Sequence, residues 1–305
     1  MIFVLAGGAA AAPPPEPAPG NPPARPPSTK PKVTKPAAPK MIFPVVGPVK
    51  YTNDYGAPRW QGSHQGNDLM APRKAIAVAA EAGTVKFWTT SGAAGCMLYL
   101  YGKSGTTYYY IHLNNDLTGG NDNRGKCVAG TSYAHGLKSG ARVAAGQPVG
   151  FVGDSGDANG TAPHLHFELH PKGGGATNPF PSLNTAARLL FASAPGKTFS
   201  LALSGTVVLA AKGVLEFKVD SLRSYPGGYR IVHGARTLSV NVPQHALIER
   251  KASGASGALS LVGLSSARKG MPVVAWTTPA PATLDAQLGR DGALSVERLI
   301  LSPKP

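Results

Sequence analysis

Two histidine spacings in this sequence could do chemistry. The segment Ser63-His64-Gln65-Gly66-Asn67-Asp68 gives His-x3-Asp, and Pro163-His164-Leu165-His166-Phe167-Glu168-Leu169 gives His-x-His. The second segment reads as a strand, so His164, His166 and Glu168 share one face. Leu165, Phe167 and Leu169 share the other, which must be the core. Two imidazoles turned away from the apolar face pack poorly, but they serve well as ligands or proton carriers. His64 and Asp68 are four apart, which suits a helix face, yet Gly62, Gly66 and Asn67 favour a turn that enters a strand. Together with one histidine of the strand pair they supply two imidazoles and one carboxylate. Three ligands with an open fourth position are what catalytic zinc requires. The other histidine of the pair is then left to handle protons.

Four segments occur in order: His64-Gln65-Gly66-Asn67-Asp68, Tyr110-Ile111-His112-Leu113, Gly150-Phe151-Val152-Gly153 and His164-Leu165-His166-Phe167-Glu168-Leu169. In this combination the chain resembles the lysostaphin/LytM-type zinc endopeptidases, which cut peptidoglycan cross-bridges. The likeness runs from about Ile42 to Leu183. Asp54-Tyr55-Gly56-Ala57-Pro58-Arg59 also resembles the turn before the first ligand in that family. The resemblance implies that His64, Asp68 and His166 bind zinc. It implies that His164 and His112 face a zinc-activated water, one taking and returning the proton and the other donating to the oxyanion. Glu168 reads as a supporting group, because there is no His-Glu-x-x-His helix for it to serve.

The implied function is an exported zinc metalloendopeptidase that hydrolyses peptide cross-links of bacterial peptidoglycan. One rival is a non-catalytic peptidoglycan-binding or hydrolase-activating module of the same fold. The intact ligand set speaks against it. A second rival is a metallopeptidase acting on proteins outside the wall.

The elements that must position these residues are strands. The expected fold is mainly β: an antiparallel LytM-like peptidase domain over residues 41–194, then a small all-β domain, sandwich or OB-like barrel, over residues 197–303. Short runs such as Thr84–Trp88, Met97–Tyr101, Thr107–His112, Pro148–Val152 and His164–Leu169 are separated by Gly, Pro, Asn and Asp. Asn184 reads as the N-cap of a short helix over Thr185–Ala194. In the second domain Phe199–Leu203 and Thr206–Ala210 read as two strands. Residues 1–12 are apolar and then small, like a signal-peptide core and its cleavage region. Residues 13–40 are rich in Pro, Ala and Lys and read as an extended basic spacer.

The chain has 305 residues, 30 basic and 15 acidic side chains, and a net charge of +15. Such a field favours long polyanions. Peptidoglycan and anionic wall polymers are the expected partners, outside the cytoplasmic membrane, secreted or wall-associated. Nucleic acid is not expected, because no recognition module is present. A membrane span is not expected either, because no apolar run reaches roughly 18 residues. Asn114–Ala141 reads as an insertion that follows His112 and rims the cleft. Cys96 and Cys127 are the only cysteines, and in an exported chain they read as a disulfide. Gly153-Asp154-Ser155-Gly156 looks like a serine-protease nucleophile segment, but Asp-Ser-Gly between strands is ordinary turn chemistry. Tyr108, Tyr109 and Tyr110 alternate along a strand, so at least one face is core or cleft wall; nothing in the sequence supports aromatic stacking on a glycan there.

Overall fold

Alternation of apolar and polar residues organises the region around the histidines into strands. The computed structural model describes residues 41–304 except 61, 90, 229 and 254–256. The expected leader at 1–12 and spacer at 13–40 lie outside the described residues. The first strands in chain order are β1 (Pro58–Arg59), β2 (Gly62–Ser63), β3 (Asn67–Met70), β4 (Ile76–Val78) and β5 (Gly83–Trp88). They are followed by β6 (Cys96–Gly102), β7 (Thr107–Leu113), β8 (Arg142–Val143), β9 (Pro148–Phe151) and β10 (His164–His170). Six of these form one antiparallel sheet in the order β3-β10-β7-β6-β5-β8. β1 pairs with β2, and β4 pairs with β9.

The period of two decides which face is core. Leu165 and Phe167 of β10, Tyr108 and Tyr110 of β7, and Leu98 and Leu100 of β6 are all fully buried at 0% exposure. They join Leu69, Val85 and Val149 in a single apolar cluster. A buried phenol must find partners. The Tyr110 hydroxyl donates to Val78 O at 2.9 Å and accepts from Ala80 N at 2.8 Å. That bond locks the six-stranded sheet to β4.

The insertion has structure without strands. The Asp116 carboxylate accepts the backbone N–H groups of Asp122 and Asn123 at 2.7 and 2.8 Å. It also pairs with Arg73, whose guanidinium grips Asp154 at 2.6 and 2.7 Å. Tyr133 stacks on Phe87 with ring centroids 3.7 Å apart. Cys96 and Cys127 are disulfide-bonded. No described residue of the insertion lines the cavity that holds the histidines, but Asn121 and Asn123 both donate to Asn159 Oδ1 at 2.9 Å, next to the cavity residues Asp157 and Ala158. The cleft that holds the histidines is walled by residues such as Arg59, Trp60, Ala93, Asp157 and Thr161. Asn115 and Gly125–Cys127 line a separate hollow with Thr89, Gly92 and Gly95. The Arg73–Asp116 pair and the disulfide tie the insertion to the loop after β3 and to β6.

The helix also differs from expectation. The helix α1 spans Phe180–Thr185, and residues 186–194 continue without one. Prolines at its start favour initiation there. Ala187 is taken up by the Met41–Phe43 segment instead, donating to Met41 O and accepting from Phe43 N.

The C-terminal half is a second sheet. Its strands are β11 (Thr198–Ala211), β12 (Val214–Tyr225), β13 (Arg230–Asn241), β14 (Leu247–Lys251), β15 (Leu259–Leu261), β16 (Pro272–Thr277), β17 (Ala280–Pro281) and β18 (Val296–Leu301). The order is β13-β12-β11-β16-β18-β14-β15, with β17 beside β11. The two expected strands around Gly205 are one. β11 runs through with a bulge at Ser204/Gly205, where a Cβ would stand 1.9 Å from Lys218 O. Glycine inside a strand marks such a bulge as readily as a turn.

The disulfide spans 31 residues, and opening it should cost about 3–4 kcal/mol by loop entropy. Cys127→Ala should therefore lower the melting temperature by several degrees, whereas an unchanged melt would show that the bridge adds nothing.

Candidate metal centre

Strand pairing brings the residues together. β10 lies between β3 and β7, and its register sets His166 opposite Asp68 on one side and Ile111 on the other. Directly opposed residues share a face and nearly touch. His64 arrives from the turn between β2 and β3. Its backbone N–H donates to Ala57 O at 2.9 Å, and its carbonyl accepts from Gly56 N at 2.8 Å. Gly66 lets that turn pass under β10, since a Cβ there would stand 2.5 Å from Phe167 O and 2.9 Å from His166 Nε2.

Ligand atoms of His64, Asp68 and His166 all lie within 4.8 Å of one another. His64 Nε2 stands 3.1 Å from Asp68 Oδ1 and 2.9 Å from His166 Nδ1. His166 Nδ1 stands 3.1 Å from the same Oδ1. The outer nitrogens decide the tautomers. His64 Nδ1 lies 2.9 Å from Asp54 O, and His166 Nε2 lies 2.9 Å from Glu168 Oε1. A carbonyl or carboxylate only accepts, so those nitrogens carry the hydrogens. In neutral rings the inner nitrogens are then lone pairs. Two lone pairs and a carboxylate oxygen converging at such distances require a cation between them, a proton or a metal. Two imidazoles and one carboxylate, each oriented by an outer partner, fit a zinc ion.

The charges agree. Burial alone would raise the Asp68 pKa, but hydrogen bonds from His166 and His64 hold it far below the ordinary carboxylate range. Burial would lower that of His166, but Asp68 and Glu168 lift it to about 9 without metal. His166 thus holds a proton where a metal would sit.

Two further imidazoles reach the same cavity. His164 Nδ1 donates to Ala162 O at 2.9 Å, and its Nε2 lies 3.8 Å from Asp68 Oδ1. His112 Nδ1 donates to Ser155 O at 2.9 Å, and its Nε2 lies 3.7 Å from Asp157 Oδ1. The rings of His112 and His164 meet edge to face at 5.2 Å. Burial, then the His164 charge, lowers the His112 pKa to about 4. His112 is therefore neutral at pH 7, with its Nε2 lone pair turned inward.

All five sequence-chosen residues line one cavity, as does Glu168. Ser155 does not: its hydroxyl accepts from Cys96 N at 2.9 Å and donates to Leu113 O at 2.5 Å, which makes it structural. His170 stands outside the ligand set, with Nε2 2.6 Å from Glu168 Oε2. Three supporting residues carried no role in the sequence reading. Arg59 donates to Asp68 Oδ2 at 2.8 Å. Asp54 accepts from His64 through its carbonyl and from Asn67 through its carboxylate. Asp157 stands beside His112. The Asp54–Arg59 turn was the available signal, but its contacts depend on where the hairpin of β1 and β2 folds.

Two outcomes can be checked. Glu168→Gln should weaken zinc binding about 10–100-fold in a chelator competition titration, because it takes the charge from behind His166. In chelator-treated protein, His166 at about 9 sits above its ordinary 6.5, so its contribution is whole below pH 6.5 and lost as pH rises through 9. His112 at about 4 sits below 6.5, so its contribution is present above pH 6.5 and lost as pH falls toward 4. The melting temperature of the metal-free protein should peak near pH 6.5. A profile that rises steadily to pH 9 would contradict the His166 assignment.

A model described as Peptidase family M23 matches residues 121–179. That span contains His164 and His166 and stops short of His64, Asp68 and His112. No curated protein matches the chain. Among solved structures, one described as a glycyl-glycine endopeptidase LytM from Ruminococcus gnavus is 26% identical, covering 48% of this chain and 59% of its own, with a TM-score of 0.38. This chain thus spans less than two thirds of that protein. The catalytic domain of lysostaphin from Staphylococcus simulans is 26% identical over 45% of this chain and 92% of its own, with a TM-score of 0.35. A zinc-containing peptidase from Vibrio cholerae is 21% identical over 45% of this chain and 39% of its own, with a TM-score of 0.33. This chain is therefore similar to the lysostaphin/LytM-type endopeptidases, with its match to Peptidase family M23 lying over residues 121–179.

Proposed function

We propose that the chain is an exported zinc metalloendopeptidase that hydrolyses peptide cross-links of bacterial peptidoglycan. One convergence carries the proposal: the ligand atoms of His64, Asp68 and His166 lie within 4.8 Å of one another, and His112 and His164 line the same cavity. His64 Nε2, Asp68 Oδ1 and His166 Nδ1 would hold the metal. A zinc ion bound by them would supply Lewis acidity and lower the pKa of a water toward about 7.

The remaining chemistry belongs to the side chains. Asp54 O fixes the His64 ring and Glu168 fixes the His166 ring. Arg59 holds Asp68 by its outer oxygen, leaving Oδ1 turned inward. His112 and His164 each carry their hydrogen on Nδ1, so Nε2 can accept the proton of the attacking water. Once protonated, the same atom returns that proton to the leaving amine. The other ring can donate to the oxyanion when charged. Division of these roles between His112 and His164 follows from which ring lies nearer the leaving nitrogen.

Export is supported by the disulfide, since such bonds persist in oxidising compartments. Among the described residues no helix is long and apolar enough to cross a membrane. A net charge of +15 suits retention on anionic wall polymers. The peptidoglycan assignment draws on the likeness to lysostaphin and LytM.

Metal analysis, with mass spectrometry of products from purified muropeptides, tests the proposal. His166→Ala should lose both zinc and hydrolysis. His164→Ala should keep zinc yet cost about 100-fold or more in rate. Zinc-free wild-type protein that only stimulates another hydrolase would establish the non-catalytic rival instead.

A further inference from the structure

The face of the sheet that bears the ligands does not end at them. Register carries it sideways in rows. One row reads Glu168 on β10, Tyr109 on β7, Tyr99 on β6 and Lys86 on β5, each directly opposite the next. The neighbouring row reads His170, Thr107, Tyr101, Thr84 and Arg142. Glu168 is a wall of the metal cavity, so the rows begin at the candidate site and run to the β5–β8 edge.

Aromatic rings cover these rows. His170 stacks on Tyr109 at 4.0 Å, Tyr109 lies 4.2 Å from Tyr99, and Tyr99 lies 6.3 Å from Tyr101 and 5.7 Å from Trp88. Lys86 Nζ sits 5.5 Å from the Trp88 ring. The core does not need them, since Tyr108, Tyr110, Leu98 and Leu100 fill the opposite face. Trp88 is 37% and Tyr101 44% exposed. None of the Tyr99, Tyr101 and Tyr109 hydroxyls bonds to a described residue. Contiguous exposed aromatic surface of this kind marks a binding site. Its basic end, with Lys86 and Arg142 both exposed, suits an anionic ligand.

We propose that this aromatic stripe binds an acidic saccharide chain alongside the metal cavity. Sugar rings present C–H faces that lie on tyrosine and tryptophan rings, and their hydroxyls meet the free phenols. Carboxylates on the saccharide meet Lys86 and Arg142. A wall glycan has this chemistry at muramyl residues whose lactyl carboxylate carries no peptide, so the stripe deepens the peptidoglycan reading and rests on it for the identity of the ligand. The stripe would hold a peptide-free stretch of strand while a peptide attached further along enters the cavity.

The test uses the full chain and two probes. One is peptide-free glycan strands stripped by an amidase, which carry free lactyl carboxylates. The other is a neutral chitooligosaccharide. The wild-type chain should bind the acidic strands in a salt-dependent manner and the neutral oligomer more weakly. Tyr101→Ala should weaken glycan binding about tenfold, and Lys86→Glu should remove the preference for the acidic probe. Thermal melts establish that both variants are folded. Unchanged glycan affinity in both folded variants would overturn the proposal. So would a wild-type dimer, seen by sedimentation, that Tyr101→Ala splits while neither probe binds. The glycan contains no peptide bond, so its binding is independent of hydrolysis. Glycan binding without muropeptide cleavage would sustain the stripe and end the peptidase reading; cleavage without glycan binding would do the reverse.

Discussion

The antiparallel pairing of β10 with β3 is the constraint on which the rest depends. It places His166 directly opposite Asp68, an imidazole and a carboxylate from residues far apart in the chain on adjoining positions of one face. A slip of one residue would turn His166 into the core and Phe167 into the cleft. The register is held by what lies beneath: Leu69, Leu165 and Phe167 are fully buried, so the hydrophobic side of the sheet fixes the chemistry of the polar side.

Around that pair, outer contacts convert proximity into orientation. Each of the four cavity histidines has one ring nitrogen tied to a carbonyl or carboxylate, which sets the other as a lone pair. His112 shows what this requires of the backbone. It lies in the left-handed region with φ 61°, an unfavourable place for a residue with a Cβ. Its N–H is held by Ala94 O at 3.2 Å and its ring by Ser155 O. Gly156 makes the close approach possible, because a Cβ there would stand 2.2 Å from Ala93 O. The disulfide pins the same corner through Cys96, whose N–H donates to the Ser155 hydroxyl. Strain of this kind persists only where surrounding structure over-determines it, and such places cluster at functional sites.

The same sheet face also explains how a cleft can reach beyond its metal seat. Antiparallel strands repeat their side chains in rows across the sheet, so a site on β10 is continued by whatever β7, β6 and β5 present at the same register. Here they present aromatic rings with free hydroxyls and two exposed basic side chains. The ligands and the stripe are thus consequences of one alternation pattern read in two directions.

Much was legible in the sequence because it depends on local rules. Alternation alone separated His164, His166 and Glu168 from the core residues between them, and glycines around His64 ruled out a helix. Spacing and residue type singled out His64, Asp68 and the His164/His166 pair, while the resemblance to the lysostaphin/LytM-type endopeptidases implied His112 and the choice of His166 over His164 as ligand. Tertiary structure decided the rest. Arg59, Asp54 and Asp157 gain their roles only from loop placement, which no local pattern encodes. The insertion's place beside the 156–161 loop rests on Arg73 pairing with Asp116 and Cys96 with Cys127, contacts between residues tens of positions apart. The stretch after Asn184 lost its helix because Met41 and Phe43 offered Ala187 backbone partners. Local sequence sets which way a side chain points from its strand; only the folded chain sets what it meets there, because that depends on registers closed by distant segments.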